Sequence, residues 1–241
     1  MRQKFRFFIT LIFLLAFPMI LDWLSPYVSQ AGAWRGIVTG SVLVFGGLFL
    51  SSLFLGRLFC SWVCPGGCVG DLMAFSRTRR YNGKIKNAFK YILWAVWLGL
   101  MVTGFVLAGG VRSVQPLFMM ESGISVDRPA MFITYYSIVG LFIVLNLILG
   151  KRAMCHSVCW MAPFMVIGRK ISNGLRLPAF RLRANADACT HCDTCTKNCL
   201  MSLPVQTMVK EHKMEKSECI LCARCADNCP GKAIRLVFGR R

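Results

Sequence analysis

Two runs near the C-terminus constrain this chain more than anything else in it: Cys189-x-x-Cys192-x-x-Cys195-x-x-x-Cys199 and Cys219-x-x-Cys222-x-x-Cys225-x-x-x-Cys229-Pro230. Three cysteines at that spacing wrap one face of a cubane and the fourth reaches the neighbouring one, so the two runs read as a site for two 4Fe–4S clusters. The pattern implies crossed ligation, with Cys189, Cys192, Cys195 and Cys229 on one cluster and Cys219, Cys222, Cys225 and Cys199 on the other. Leu200 stands where a proline is expected after Cys199, whereas Pro230 does follow Cys229. A disulfide scaffold would be a small secreted domain, and these runs instead follow long apolar segments. A zinc site uses four ligands in two pairs and leaves the third cysteine of each run without a role. Residues 189–241 are therefore expected to form a small α+β dicluster domain of the bacterial ferredoxin type. Too short for an ordinary core, it would take its interior from the clusters.

The remainder of the chain belongs to a different solvent. With 56% hydrophobic and 16% charged residues and a mean hydropathy of +0.55, the composition is that of a membrane protein. Ile37–Leu55, Tyr91–Val111 and Ala130–Leu149 carry no charge, and each approaches the ~20 residues with which a helix crosses a bilayer. Phe7–Leu21 is a shorter uncharged run, extended past Asp22 by Trp23 and Leu24. The fold class expected is thus membrane α-helical: four transmembrane helices as two repeated hairpins over residues 1–171, a linker over 172–188 punctuated by Gly174 and Pro178, and then the ferredoxin domain. The first span also has the basic start of a signal peptide, and Ala31-Gly32-Ala33 offers a small-residue cleavage site. The distance from Leu24 to that site favours a retained span.

The formal charge of +19 does not point to nucleic acid. Only Asp22, Asp71, Glu121 and Asp127 supply negative charge in the first 180 residues, so missing carboxylates account for much of the excess. The bases gather at span ends: Arg2, Lys4 and Arg6; Arg77, Arg79, Arg80, Lys84, Lys86 and Lys90; Lys151, Arg152, Arg169 and Lys170. Short basic loops stay cytoplasmic, which puts both termini and the cysteine-rich tail on the cytoplasmic side of an inner membrane. Free thiols survive there.

The two hairpins end alike. Gly56-Arg57-Leu58-Phe59-Cys60-Ser61-Trp62-Val63-Cys64 closes the first and Gly150-Lys151-Arg152-Ala153-Met154-Cys155-His156-Ser157-Val158-Cys159 the second. Both show a glycine, a basic residue and Cys-x-x-Val-Cys at the same membrane edge, which reads as an internal repeat. After each pair comes an apolar stretch too short to span, suited to the inner leaflet. Cys60, Cys64, Cys155 and Cys159 admit three readings: a further metal or redox centre, a dithiol/disulfide couple, or packing. Cys68 has no counterpart in the second repeat. His156 suits either a hydrogen bond to a quinone or a structural place. No membrane-embedded histidine pair and no C-x-x-C-H sequence is present, which disfavours haem. No G-x-G-x-x-G or P-loop supports nucleotide chemistry.

The order of these motifs resembles the NapH-type membrane ferredoxin family, related in its membrane part to NosR-like and CcoG-like proteins. The resemblance rests on the four spans, Cys60-Ser-Trp-Val-Cys64-Pro65, Cys155-His-Ser-Val-Cys159 and the two tail motifs, and covers nearly the whole chain. Trp160 stands where the second motif would carry its proline. The resemblance implies an electron-transfer subunit rather than a stand-alone enzyme. Its partners would be membrane lipid and a partner oxidoreductase, with electrons drawn from the quinone pool or a cytoplasmic donor, and with a bound quinone as an open reading. A CcoG-like role, reducing a metal or a disulfide in a client enzyme, is the alternative it carries.

Overall fold

The computed structural model describes residues 1–76, 79–81, 84–120 and 123–240. Arg77 and Glu121, counted in the charge pattern, lie outside the described residues, and the side chains of Lys84 and Lys86 are likewise not described.

The N-terminal apolar segment is not one straight helix. α1 (Arg2–Leu15) gives way to a single turn, α2 (Phe17–Ile20), to a 3-10 turn at Asp22–Leu24, and then to α3 (Pro26–Ala33). Pro18 and Pro26 explain the breaks: each lacks an amide hydrogen, so each begins a helix and cannot continue one. Ser25 Oγ caps α3 by accepting from the Val28 amide at 3.4 Å.

β1 (Ile37–Thr39) follows and leads into α4 (Gly40–Leu55), α5 (Leu58–Trp62), α6 (Pro65–Ser76) and α7 (Lys84–Leu107). β2 (Ser113–Gln115) returns to lie parallel to β1, in the register Ile37↔Ser113 to Thr39↔Gln115. α8 (Pro129–Leu149), α9 (Ala153–Ser157) and α10 (Ala162–Gly174) repeat the order of α4, α5 and α6. Among the described residues two helices are long and apolar enough to cross a membrane, Ala88–Leu107 and Pro129–Leu149. Only 17% and 11% of these segments is buried within the protein, so their apolar side chains face outward. α4 is apolar but has 16 residues, about 24 Å of helix against a hydrocarbon core of about 30 Å. The four straight spans read from hydropathy thus become two full-length helices, one shorter helix and a segment broken by proline.

α10 lies against α4 at Gly168, where an added Cβ would stand 2.9 Å from the Phe49 carbonyl oxygen. Phe45, Trp97 and Phe164 lock α4, α7 and α10 together, with ring centroids 5.5–5.9 Å apart.

In the tail, β3 (Ala179–Ala184) pairs antiparallel with β4 (Ile234–Gly239), enclosing α11 (Thr194–Lys197), α12 (Val205–Lys210) and α13 (Arg224–Asp227). This differs from the linker expected over 172–188. Gly174 ends α10 and Pro178 stops any continuation, but the residues beyond form a strand whose partner is the last segment of the chain.

Candidate iron–sulfur sites

The two tail runs fold as near copies. His191 and Asp193 in the first, and Leu221 and Ala223 in the second, have φ between 55° and 58°. Left-handed residues at matched places turn successive amides toward one concavity, the backbone form that receives anions and iron–sulfur clusters. α11 and α13 then carry the third cysteine of each run, and both Cys195 and Cys225 are buried. After the fourth cysteine the copies still agree. Ser202 and Lys232 have φ of 53° and 49°, and the amides of Leu203 and Ala233 donate to Cys199 Sγ at 3.4 Å and Cys229 Sγ at 3.3 Å. The turn after Cys199 therefore takes the same form without the proline. Amide donors on a ligand sulfur offset cluster charge and raise potential.

Two small cavities sit within this fold. Cys189, Cys192, Cys195 and Cys229 line one, and Cys199, Cys219, Cys222 and Cys225 line the other. The fourth cysteine of each run thus stands with the first three of the other. Cys192 is exposed, whereas Cys199 and Cys222 pack against the same apolar core as Cys60, Cys64 and Cys155. One tail cavity therefore has an exposed cysteine and the other packs against the N-terminal helices.

Cys60, Cys64, Cys155 and Cys159 also sit in duplicated geometry. The amides of Cys60 and Cys155 donate to the carbonyls of Arg57 and Arg152 at 3.1 and 3.0 Å. Those of Cys64 and Cys159 reach back five residues to Phe59 and Met154 at 2.9 and 3.1 Å. Gly56 and Gly150, at φ 59° and 106°, provide the sharp exits from α4 and α8. Cys60, Cys64, Cys155 and Cys159 come together in one apolar core. Among the described residues no three His, Cys, Asp or Glu side chains converge on a single metal ion. A cubane, held at its corners, takes a wider set of sulfurs.

α6 approaches this centre through glycine. A Cβ at Gly67 would lie 2.5 Å from the Cys60 carbonyl oxygen and 3.5 Å from Arg152 Nη1. Gly67→Ala is expected to displace Cys60 and to cost about 1–3 kcal/mol by overpacking. The measurable outcome is a lower thermal midpoint with the tail's visible absorbance unchanged.

Two ion groups flank the cysteines, and the sequence did not show which residues pair in them. Asp71, buried in α6, accepts from Arg6 Nη1 at 2.7 Å and Arg152 Nε at 2.8 Å. Glu218, beside Cys219, binds Lys90 Nζ at 2.6 Å and Arg57 Nη1 at 2.9 Å. Burial alone would raise the Glu218 carboxyl, but Arg57 and Lys90 outweigh it and hold it down at about 2. The one available signal was position: Arg57 and Arg152 each precede the first cysteine of a pair by three residues.

His156 stacks on Tyr81 at 4.6 Å and lies 3.9 Å from Glu218 Oε2. Burial lowers it to about 4 and keeps it neutral. Cys68 is fully buried in α6, close to Thr10 and the Asp71 ion cluster.

A cavity of about 400 Å³ opens beside the cysteines, between the α1–α3 segment and α8. Met131, Thr134, Ile138 and Phe142 form one stripe of its wall, and Cys64, Cys155 and Cys159 also line it. Its lining is largely apolar, and Asp22, Ser25, Tyr27, Ser125, Thr134 and Trp160 are among the lining side chains that can form hydrogen bonds. His156 is not part of this wall.

Residues 37–82, which contain Cys60 and Cys64, match the family described as "4Fe-4S binding domain". The ferredoxin-type protein NapH of Haemophilus influenzae is 29% identical over 189 residues, covering 74% of this chain and 61% of the relative. The methylamine utilization ferredoxin-type protein MauN of Paracoccus denitrificans is 26% identical over 189 residues, covering 75% and 62%. The protein MJ0750 of Methanocaldococcus jannaschii is 25% identical over 242 residues, covering 96% and 92%. The chain spans about three fifths of the length of most of these curated relatives. No solved structure matches it. The chain is thus similar to ferredoxin-type proteins and contains a segment that matches a 4Fe-4S binding domain. Relatives named NapH, MauN, YccM and NosR, at 23–29% identity, support a NapH-type ferredoxin family for it.

Proposed function

We propose that this chain is an inner-membrane electron-transfer protein that passes electrons between a cytoplasmic or quinone-linked donor and a partner oxidoreductase. Its two tail cysteine sets would hold 4Fe–4S clusters in the crossed arrangement, and Cys60, Cys64, Cys155 and Cys159 would form a third redox site. When bound, such clusters take up and release single electrons. In this reading α1, α4, α7 and α8 cross or enter the bilayer, and both termini and the tail face the cytoplasm.

The observation that carries this reading is the succession of cysteine sets. Exposed Cys192 marks the outer set, Cys199 and Cys222 share a core with the membrane quartet, and Cys64, Cys155 and Cys159 of the quartet border the large apolar cavity. The residues in between hold this order. Arg57, Lys90 and Glu218 bind the tail to the membrane half, while Arg2 reaches Asp227 at 2.6 Å and Arg169 reaches Glu215 at 2.7 Å. The cavity has the size and apolar lining of a small-molecule site, and a membrane quinone is the ligand we assign to it.

The test is electron exchange by purified protein with all clusters intact. Chemically reduced protein should be reoxidised by a short-chain quinone analogue, and Ile138→Trp, which fills the cavity, should slow that reaction at least tenfold while leaving chemical reduction of the tail unaffected. Absence of exchange with every quinone analogue and with any co-purifying partner would sink the proposal.

A further inference from the structure

Arg57 and Arg152 are equivalent residues of the repeat, and their surroundings are equivalent too. Their exposures are 1% and 0%. Each is bound to a carboxylate that also binds a second base: Glu218 takes Arg57 and Lys90, and Asp71 takes Arg152 and Arg6. Each of the two ion groups therefore places two positive charges against one negative charge among the described residues. The surplus lies beside the cysteines. Arg152 Nη1 donates to the Cys60 carbonyl at 2.9 Å, so the arginine of the second half braces a cysteine of the first. Arg57 Nε and Nη2 are buried and find no hydrogen-bond partner among the described residues.

Buried charge without compensation is costly, and so are buried donors without acceptors. Four neutral thiols remove neither cost. Four thiolates around a 4Fe–4S core in its oxidised state carry a net charge of minus two, and the core sulfides and ligand sulfurs accept hydrogen bonds. That group matches both the surplus and the free donors, and its four ligands match the twofold repeat.

We propose that Cys60, Cys64, Cys155 and Cys159 together ligate one 4Fe–4S cluster, and that Arg57 and Arg152 are its paired charge-compensating residues and set its reduction potential. The proposal deepens the electron-transfer reading above and rests on its third redox site. The arginines act through the cluster's charge and are positioning residues, not ligands.

Iron, acid-labile sulfide and EPR of the intact protein test the cluster without any substitution. About twelve irons per chain and a third reduced-state signal are expected, against about eight irons and two signals for the tail alone. Arg57→Gln and Arg152→Gln then test the pair. Each leaves its carboxylate with a remaining base, so neither strands a charge. Each should lower the potential of the third signal more than that of either tail signal, the double variant should lower it further, and Arg57→Lys should restore most of the Arg57 effect. About eight irons in the intact protein would overturn the cluster. A third signal whose potential ignores both arginines would overturn their role. Electron exchange with quinone is a separate measurement, so its failure alone would count against the wider function and not against the site.

Discussion

A chain in which Cys60, Cys64, Cys155 and Cys159 are all serine is expected to keep two reducible tail centres and to lose electron exchange with the membrane phase. Iron should fall from about twelve to about eight per chain, and reoxidation by a quinone analogue should drop by two orders of magnitude or more. The tail survives because its ligands, left-handed turns and amide-to-sulfur hydrogen bonds all lie within residues 189–233. The exchange fails because Cys64, Cys155 and Cys159 of the quartet border the cavity, whereas the tail cavities are lined by tail residues alone. The same variant separates two roles. Unchanged quinone exchange combined with failed metal insertion into a client enzyme would favour a maturation factor over a relay. Anaerobic stopped-flow absorbance on the full chain reads the first outcome, and client metal content reads the second.

What the sequence made legible here was local or repeated. The crossed tail sets follow from a spacing confined to eleven residues per run, and the structure places those eight cysteines around two cavities in that grouping. The repeated cysteine segments were legible because glycine, basic residue and paired cysteines recur in one order, and the amides of Gly56 and Gly150, Cys60 and Cys155, Val63 and Val158, and Cys64 and Cys159 make matching hydrogen bonds. Hydropathy was a blunter guide. It marks Phe7–Leu24 as apolar but does not register that Pro18 divides the segment, although the proline itself was visible. Polar, basic composition hid β3, whose strand partner β4 lies at the other end of the tail. The three-residue strands β1 and β2 carry too little pattern to be seen at all. The ionic groups at the cysteines were illegible for another reason. Asp71 meets Arg6 and Arg152 across 65 and 81 residues, and Glu218 meets Lys90 across 128. No local rule connects such pairs.

Those long-range pairs carry the second large expected effect. Removing one partner of a buried ion cluster leaves an uncompensated charge and costs about 3–5 kcal/mol. Asp71→Ala would strand Arg6 and Arg152, both at most 3% exposed. Since these tie α1, α6 and the α8–α9 junction into one unit, the membrane half should lose its cooperative thermal transition. Glu218→Ala strands Arg57 and Lys90 instead, but its carboxylate comes from the tail. Here the membrane half keeps Asp71, the tail keeps its own cysteines, and the junction between them is what weakens. Limited proteolysis should then release an iron-loaded tail fragment from the Glu218→Ala protein and not from the unsubstituted one. Quinone-linked reoxidation of the tail centres should slow in step with that release. Equal protease resistance in the two proteins would show that the apolar contacts of Met201, Ile220 and Cys222 with the membrane half hold the tail without the ionic junction.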